Sequence, residues 1–165
     1  MNIVYISNAG HTMEYAKLLS RELGINAYTL KEAKKVLKKK EEIIYLCWIR
    51  ANKPVGLKKA LKRYNLKALC TCGMTINKEN QDNIILKYKI SCPLFYLPGG
   101  FDINRLEDGF YKALMIQMRK GMQEKLLSNA TLTDEERLCA VTVVEGRNYV
   151  SKEYLKPVID FINEK

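Results

Sequence analysis

A neutral loop near the amino terminus carries the first residues that could do chemistry. The stretch Ser7-Asn8-Ala9-Gly10-His11-Thr12 follows an apolar run and precedes a helical pattern. The unpaired amides and the dipole of a first helical turn attract an anion. Gly10 lets the backbone approach closely, while Ser7 and Thr12 add hydroxyl donors. The pattern predicts a phosphate site without a lysine, and the residues alone leave an ordinary turn capped by Ser7 or Asn8 equally open.

Two nucleotide-binding motifs are missing from this loop. The chain contains neither G-x-G-x-x-G nor G-x-x-x-x-G-K-[ST], the patterns of dinucleotide and nucleoside triphosphate sites. A short neutral loop suits a monophosphate better than a triphosphate with its metal, and we predict no metal site. His11 is the only histidine, and it could contact phosphate or solvent. No partner that would make it catalytic can be identified, so the catalytic residues stay unassigned.

Alternating strand and helix patterns must position this loop. Short apolar runs predict buried strands, and the segments between them show helical spacing. The predicted strands are 3–6, 25–30, 43–49, 68–72 and 94–97, with a further short strand at 140–144; the main predicted helices begin near Thr12 and Pro54 and span 78–90, 105–127 and 152–162. This order predicts one α/β domain over residues 1–165, a three-layer, doubly wound, five-stranded parallel sheet. Ligands of such sheets bind beyond the carboxyl ends of the strands.

Composition sets the compartment and the class of partner. The 165 residues include five cysteines, an odd number on apolar segments, which favours reduced buried thiols over a disulfide framework. No run is long enough to span a membrane and no secretory leader is visible, so we expect a cytoplasmic protein. The net charge of +10 would suit nucleic acid, an anionic membrane or an acidic protein. We expect the basic run 31–40 to be a solvated helix face, and it contains no aromatic residue on which a single strand could stack.

Three stretches of the chain resemble the flavodoxin-like family. The family's phosphate loop reads [ST]-x-[ST]-G-x-[ST], which residues 7–12 match except at Ala9. The stretches CWIRANKPVGLKKALKR (47–63) and PLFYLPGGFDINRLEDGFYKALMIQMRKG (93–121) look like parts of the menaquinone-dependent protoporphyrinogen oxidases of that family. The resemblance implies a flavodoxin-like sheet with the strand order 2-1-3-4-5 and FMN as the cofactor.

The resemblance also implies which residues hold FMN. The phosphate would lie on residues 7–12, and the ring would lie between the loops after the third and fourth strands. The implied cofactor-binding residues are Ser7, Asn8, Ala9, Gly10, His11, Thr12, Trp48, Ile49, Arg50, Ala51, Asn52, Cys72, Gly73 and Met74, the second ring loop extending to Asn77. Trp48 could stack on the ring or be a core residue. Arg50 near the pyrimidine edge would favour the negative charge of the reduced ring, which predicts a less negative potential for the second electron than acidic flavodoxins show.

The implied function is electron transfer or an FMN-dependent oxidoreductase activity, with a redox protein or a quinone as partner. One alternative is a quinone-linked enzyme resembling the protoporphyrinogen oxidases. For it, a helix bearing Met115, Met118 and Met122 with nearby cations could contact an anionic membrane, although such a methionine row is usually core. An alternative of another class is a basic nucleic-acid-binding module without flavin. Response-regulator receivers need carboxylates after the first and third strands, where this chain has Ser7-Asn8 and Trp48-Ile49-Arg50.

Overall fold

The computed structural model describes residues 1–74, 78–106, 108–128 and 131–164. A mostly parallel sheet lies at its centre, and its strands follow in the order β2-β1-β3-β5-β6, with β4 paired antiparallel to β3. The strands are β1 (Asn2–Ile6), β2 (Ala27–Thr29), β3 (Glu42–Arg50), β4 (Lys53–Pro54), β5 (Asn65–Gly73) and β6 (Leu94–Pro98). The α/β prediction is therefore confirmed. The strand count is six rather than five and the order is 2-1-3-5-6 rather than 2-1-3-4-5, because the two residues of β4 fold back on β3.

Helices of the described chain cover both faces of the sheet. They are α1 (His11–Leu23), α2 (Leu30–Val36), α3 (Leu57–Arg63), α4 (Lys78–Tyr88), α5 (Phe110–Leu127), α6 (Asp134–Glu145) and α7 (Lys156–Asn163). Successive residues of β3 alternate between the two faces, as a pleated strand requires. Ile44 and Leu46 pack with α1 and α7, whereas Ile43 and Tyr45 pack with α2 and α3. Both faces of the central strand are thus buried, which explains its unbroken apolar sequence.

A third cluster lies apart from these two layers and is formed by α5, α6 and the segment after β6. Phe101, Leu106 and Val143 are its buried members. Met115, Met118 and Met122 are half-buried and pack against them, although no described residue of α5 is fully buried. Among the described residues, each helix is too short or too polar to cross a bilayer.

The predicted strand at 140–144 is wrong, because this segment belongs to α6. Thr133 and Glu136 form a complete capping box at its start, and Gly146 ends it in a left-handed conformation. Ala140 and Val143, three residues apart, are buried on one face of the helix. The apolar run is therefore part of the buried face of an amphipathic helix. The capping box at its start and the glycine at its end both favour a helix over a strand.

Several predicted boundaries also move. The edge strand predicted over 25–30 is shorter, since Thr29 already caps α2 through a capping box with Glu32. Pro54, predicted in the first turn of a helix, lies in β4, and α3 begins three residues later after Gly56. The helix predicted from Arg105 begins at Phe110, because Arg105 closes a separate 3-10 turn.

Candidate functional site

A cavity of about 330 Å³ opens at the carboxyl ends of β1, β3, β5 and β6. The chain leaves β1 toward β2 on one side and leaves β3 toward β5 on the other, so the two loops diverge between these neighbouring strands. A crevice forms at such a switch in strand order, where open α/β sheets bind their ligands. The helices α5 and α6 contribute Tyr111, Met115 and Cys139 as an outer wall.

The loop after β1 leaves the start of α1 without a side-chain cap. Gly10 is the N-cap residue, with φ +90°, and no side chain bonds the first-turn amides. Of the two alternatives for this loop, the turn in which Ser7 or Asn8 caps the helix is therefore wrong. Helix amides that lack an acceptor can bind an anion, and Ser7, Asn8, Ala9, His11 and Thr12 all line the cavity beside them.

Three buried polar atoms of the cavity have no hydrogen-bond partner among the described residues. They are Ser7 Oγ, His11 Nε2 and the Tyr96 hydroxyl. An unsatisfied buried donor or acceptor costs about 1–3 kcal/mol, and buried polar side chains in native proteins are almost always paired. All three come from elements that meet at this one cavity. The three atoms are therefore placed to form hydrogen bonds with a ligand or a water molecule inside the cavity.

His11 is an electrically neutral donor or acceptor in this site. It is 5% exposed, and burial is the main cause that lowers its pKa, with Arg105 acting in the same direction and the carboxylates of Glu14 and Asp102 opposing it. A neutral imidazole has one N–H donor and one acceptor nitrogen. Near pH 7 His11 therefore offers a hydrogen bond to a ligand rather than a positive charge.

Trp48 lies at the cavity wall rather than in the core. Its ring contacts that of Tyr111 edge-on, with 6.1 Å between the ring centroids, and both residues line the cavity. Trp48 is half-buried at the end of β3, where the neighbouring Cys47 is fully buried. A flat ring entering the cavity would meet these two aromatic side chains.

The thiols of the cavity are protonated and unreactive. Burial raises the pKa of Cys72 to about 12, although a hydrogen bond with the Thr12 side chain opposes the rise. Burial also raises the pKa of Cys139. Since the thiolate is the reactive form, neither cysteine is a nucleophile near neutral pH. Among the residues with described placement, no group of three or more acidic, histidine or cysteine side chains could hold a metal ion.

Most of the implied cofactor residues meet at this cavity. Besides the five in the first loop, the cavity is lined by Trp48, Ile49, Ala51, Asn52, Cys72, Gly73 and Met74. Gly10 and Arg50 are not among its lining residues. Arg50 is exposed in the β3–β4 hairpin, although its charge lowers the pKa of Tyr111 against the larger effect of burial. Residues 75–77, the end of the second implied ring loop, lie outside the described residues.

Arg105 was missed by the sequence analysis, although it lies at the first loop. Its Nη1 is 3.3 Å from the point where a Cβ on Gly10 would stand. The guanidinium pairs with Glu14 of α1 and, at 3.3 Å, with Asp102. No local pattern marked Arg105. It contacts Glu14, 91 residues earlier in the sequence, only because the chain returns to the first loop after β6.

The cavity wall from the later part of the chain was missed as well. Phe101, Leu106, Tyr111 and Cys139 line the cavity together with Tyr96. A short backbone pairing fixes this wall, since the Phe101 amide donates to the Arg147 carbonyl at 2.9 Å and the Tyr149 amide to the Gly99 carbonyl at 2.7 Å. The sequence Pro98-Gly99-Gly100 at the end of β6 contains no sign of what packs on it.

No protein-family model matches the chain, and neither a curated protein nor a solved structure matches it. The site must therefore be interpreted from its own geometry.

Proposed function

We propose that the chain is a flavodoxin-like domain that binds FMN in this cavity and acts in electron transfer or as an FMN-dependent oxidoreductase. The observation that carries the proposal is the group of three unpartnered buried atoms, Ser7 Oγ, His11 Nε2 and the Tyr96 hydroxyl, around one cavity. The cavity's volume of about 330 Å³ lies within the range of about 300–1,000 Å³ that is common for small-molecule sites.

The phosphate of FMN fits the uncapped start of α1. The first-turn amides lack a side-chain acceptor, Ser7 Oγ is unpaired, and Arg105, whose guanidinium pairs with Glu14 and Asp102, lies beside Gly10. The helix dipole and the hydroxyl favour an anion over a neutral group, and a phosphate would bond Arg105 in exchange for one of its carboxylate partners. Arg105 takes the part that a lysine has in other phosphate loops, from a different region of the chain.

The flavin ring fits the apolar part of the cavity. Trp48, Ile49 and Tyr111 offer flat or apolar surface, and Gly73 removes a side chain where the backbone approaches the cavity. The Tyr96 hydroxyl and the Asn52 amide lie at the same cavity and would bond polar edges of the ring. FMN when bound supplies the redox chemistry. The protein's residues position the ring, exclude water from it and set the charge around it.

Calorimetry with three ligands tests this proposal. Ligand-free protein should bind one FMN per chain, and riboflavin, which lacks the phosphate, should bind at least about tenfold more weakly, a loss of about 1.4 kcal/mol. Inorganic phosphate alone should bind weakly and compete with FMN. Equal affinity for FMN and riboflavin would contradict the phosphate assignment, and no heat with saturating FMN would contradict the function.

The variant Arg105→Ala tests whether the charge beside the first loop contributes to FMN binding, as distinct from the net charge of the protein. Removing a charge-assisted contact should weaken FMN by about tenfold or more and leave riboflavin affinity nearly unchanged. Arg147→Ala is the matched control, because Arg147 is an exposed arginine that pairs with Glu145, whereas Arg105 lies beside Gly10. A parallel loss for both ligands in the Arg105 variant would mean that Arg105 acts only by holding the fold.

A further inference from the structure

The net charge of the protein comes from one segment. Residues 31–67 contain thirteen lysines and arginines against three glutamates, a net charge of +10 that equals the net charge of the whole chain. The remaining residues carry equal numbers of the two signs. A segment with such an excess produces a strong local potential.

The fold gathers this segment on one side of the sheet. Helices α2 and α3 both pack on the core that contains Val4, Ile43 and Tyr45. They are tied together at their ends, since Arg63 Nη2 donates to the Lys34 carbonyl at 2.7 Å and the Lys40 amide donates to the Arg63 carbonyl at 2.7 Å. The outer sides of the two neighbouring helices therefore form a single surface, here called the basic face.

The lysines of the basic face are exposed and unpaired. The nine exposed ones on α2, α3 and the turn between α2 and β3 are Lys31, Lys34, Lys35, Lys38, Lys39, Lys40, Lys58, Lys59 and Lys62. Within the described residues, no lysine or arginine from 31 to 67 forms an ion pair, and the ion pairs present involve cations from 105 onward. Glu32 is held in the α2 capping box and Glu41 accepts from Asn2 and the Lys38 amide. Neither carboxylate forms an ion pair with a lysine of the face, although the pKa of Glu32 is lowered by the Thr29 hydrogen bonds and, to a lesser extent, by the Lys35 charge.

The basic face extends to the mouth of the cavity. Arg50 and Lys53 are paired in the β3–β4 hairpin and are exposed. The two residues between them, Ala51 and Asn52, line the cavity. The chain then runs through Gly56 into α3, so cations continue from the cavity edge along α3 to α2. Val36, 59% exposed, adds an apolar point within this surface.

We propose that the basic face docks an acidic electron-carrier protein and brings its redox centre to the mouth of the cavity. The choice of partner rests on the proposed FMN function. Lysines without an ion-pair partner steer and hold a surface rich in carboxylates. The face reaches the cavity mouth at Arg50 and Lys53 and extends along α3 and α2 to Lys40, just before the amino end of β3. A single-stranded nucleic acid fits less well, because α2 and α3 contain no aromatic residue for stacking; a DNA duplex, which would bind lysines through its phosphates alone, is an outcome of the test. The basic run 31–40 considered alone suggested a solvated helix face. Together with α3 and the β3–β4 hairpin it forms a continuous basic surface.

Matched charge reversals on the full chain test the docking site. One variant combines Lys35→Glu, Lys39→Glu and Lys59→Glu on the basic face. The control combines Lys120→Glu, Lys125→Glu and Lys156→Glu, which changes the net charge equally at exposed lysines on α5 and α7. Binding of a purified acidic [2Fe–2S] ferredoxin and of a 20-base-pair DNA duplex is measured by biolayer interferometry at 50 and 200 mM salt. FMN uptake of each protein is measured separately by absorption.

The proposal expects the wild-type chain to bind the ferredoxin with an affinity that falls steeply with salt. The basic-face variant should lose at least tenfold in affinity and the control less than threefold, while both still take up FMN. Failure to bind ferredoxin with FMN uptake intact, equal losses in the two variants, or tighter binding of the duplex through the same lysines would each overturn the docking proposal. Loss of FMN uptake in the wild-type chain would instead overturn the proposed function.

Discussion

The strongest indication of a ligand site comes from three residues, Ser7, His11 and Tyr96. Each has a buried polar atom to which no described residue forms a hydrogen bond. The sequence marked Ser7 and His11, since both stand in a loop whose composition suggested an anion. It could not mark Tyr96, which is one of ten tyrosines in a strand that reads as plain core. Arg105 was equally invisible, because its position at Gly10 depends on tertiary contacts alone.

A comparison of Tyr96→Phe with Tyr15→Phe tests whether the Tyr96 hydroxyl lacks a hydrogen-bond partner in the ligand-free protein. Tyr96→Phe removes a buried hydroxyl without a described partner, so the free energy of unfolding of the ligand-free protein should be unchanged or rise by about 1 kcal/mol. Tyr15→Phe is the matched control, because its hydroxyl donates to the Pro98 carbonyl at 2.6 Å, and it should cost about 1–3 kcal/mol. Urea denaturation of both variants measures the difference. Equal losses would show that Tyr96 has a structural partner.

The depressed pKa of His11 makes a prediction about pH. Burial, the largest cause, lowers this pKa in the folded state, so the unfolded chain binds a proton at a higher pH than the folded chain does. The free energy of unfolding should therefore fall as pH drops from 7 through about 6.5 and stop falling below the folded pKa. Because His11 is the only histidine, His11→Gln should remove this slope. Urea midpoints between pH 6 and 7.5 measure it, above the range in which carboxylates with a lowered pKa such as Glu14 change stability; a slope over this range that persists in the variant would contradict the assignment to His11.

Elements were predicted well where one signal dominated and poorly where two competed. The central strand β3 is buried on both faces, and its unbroken apolar run over 43–49 has no other simple explanation. Residues 140–144 also form an apolar run, but the capping box at Thr133 and Gly146 beyond it specify a helix. The β3–β4 hairpin escaped prediction because its turn, Ala51 and Asn52, holds positive φ in residues other than glycine.

A comparison of alanine substitutions at Gly24 and Gly56 distinguishes the cost of backbone strain from the cost of steric overlap. Gly56 has φ +75°, and a Cβ there would stand 2.5 Å from the Tyr45 hydroxyl, which bonds the Val55 carbonyl. Gly24 has φ +63° with open space around it. Gly24→Ala should cost about 1–2 kcal/mol for the left-handed conformation alone. Gly56→Ala should cost about 2–5 kcal/mol, since overpacking adds to the same strain.

Thermal and urea denaturation of both alanine variants measure these costs. Because Gly56 lies between the cavity hairpin and α3, its variant should also weaken FMN binding, while the Gly24 variant should bind FMN normally. Equal destabilisation in the two variants would contradict the packing seen around Gly56.

The distribution of charge is a property of the whole molecule. The sequence places the excess of cations in residues 31–67, and the fold decides which surface they share. The +10 predicted an anionic partner, but the fold was needed to show that α2, α3 and the β3–β4 hairpin carry it on one side. The same field acts on any anion in the cavity, and an exposed charge such as Arg50 acts on it through solvent. Its influence must therefore be moderate and sensitive to salt.

The variant Arg50→Glu tests this field on bound FMN. The potential for the second electron should become more negative at low ionic strength, since reduction adds negative charge near the reversed side chain. Lys156→Glu makes the same change on α7 and should have a smaller effect. Raising the salt from 10 to 200 mM should shrink the Arg50 shift. A redox titration without any shift at low salt would show that Arg50 is not coupled to the ring.

The most direct test of FMN binding is an absorption and fluorescence titration of the ligand-free protein. Trp48, the only tryptophan, lines the cavity, so a ring bound there must quench its emission. The account predicts that FMN saturates at one per chain, that its visible bands shift and sharpen, and that Trp48 emission falls in parallel. An unchanged flavin spectrum together with unquenched Trp48 emission at saturating FMN would contradict it.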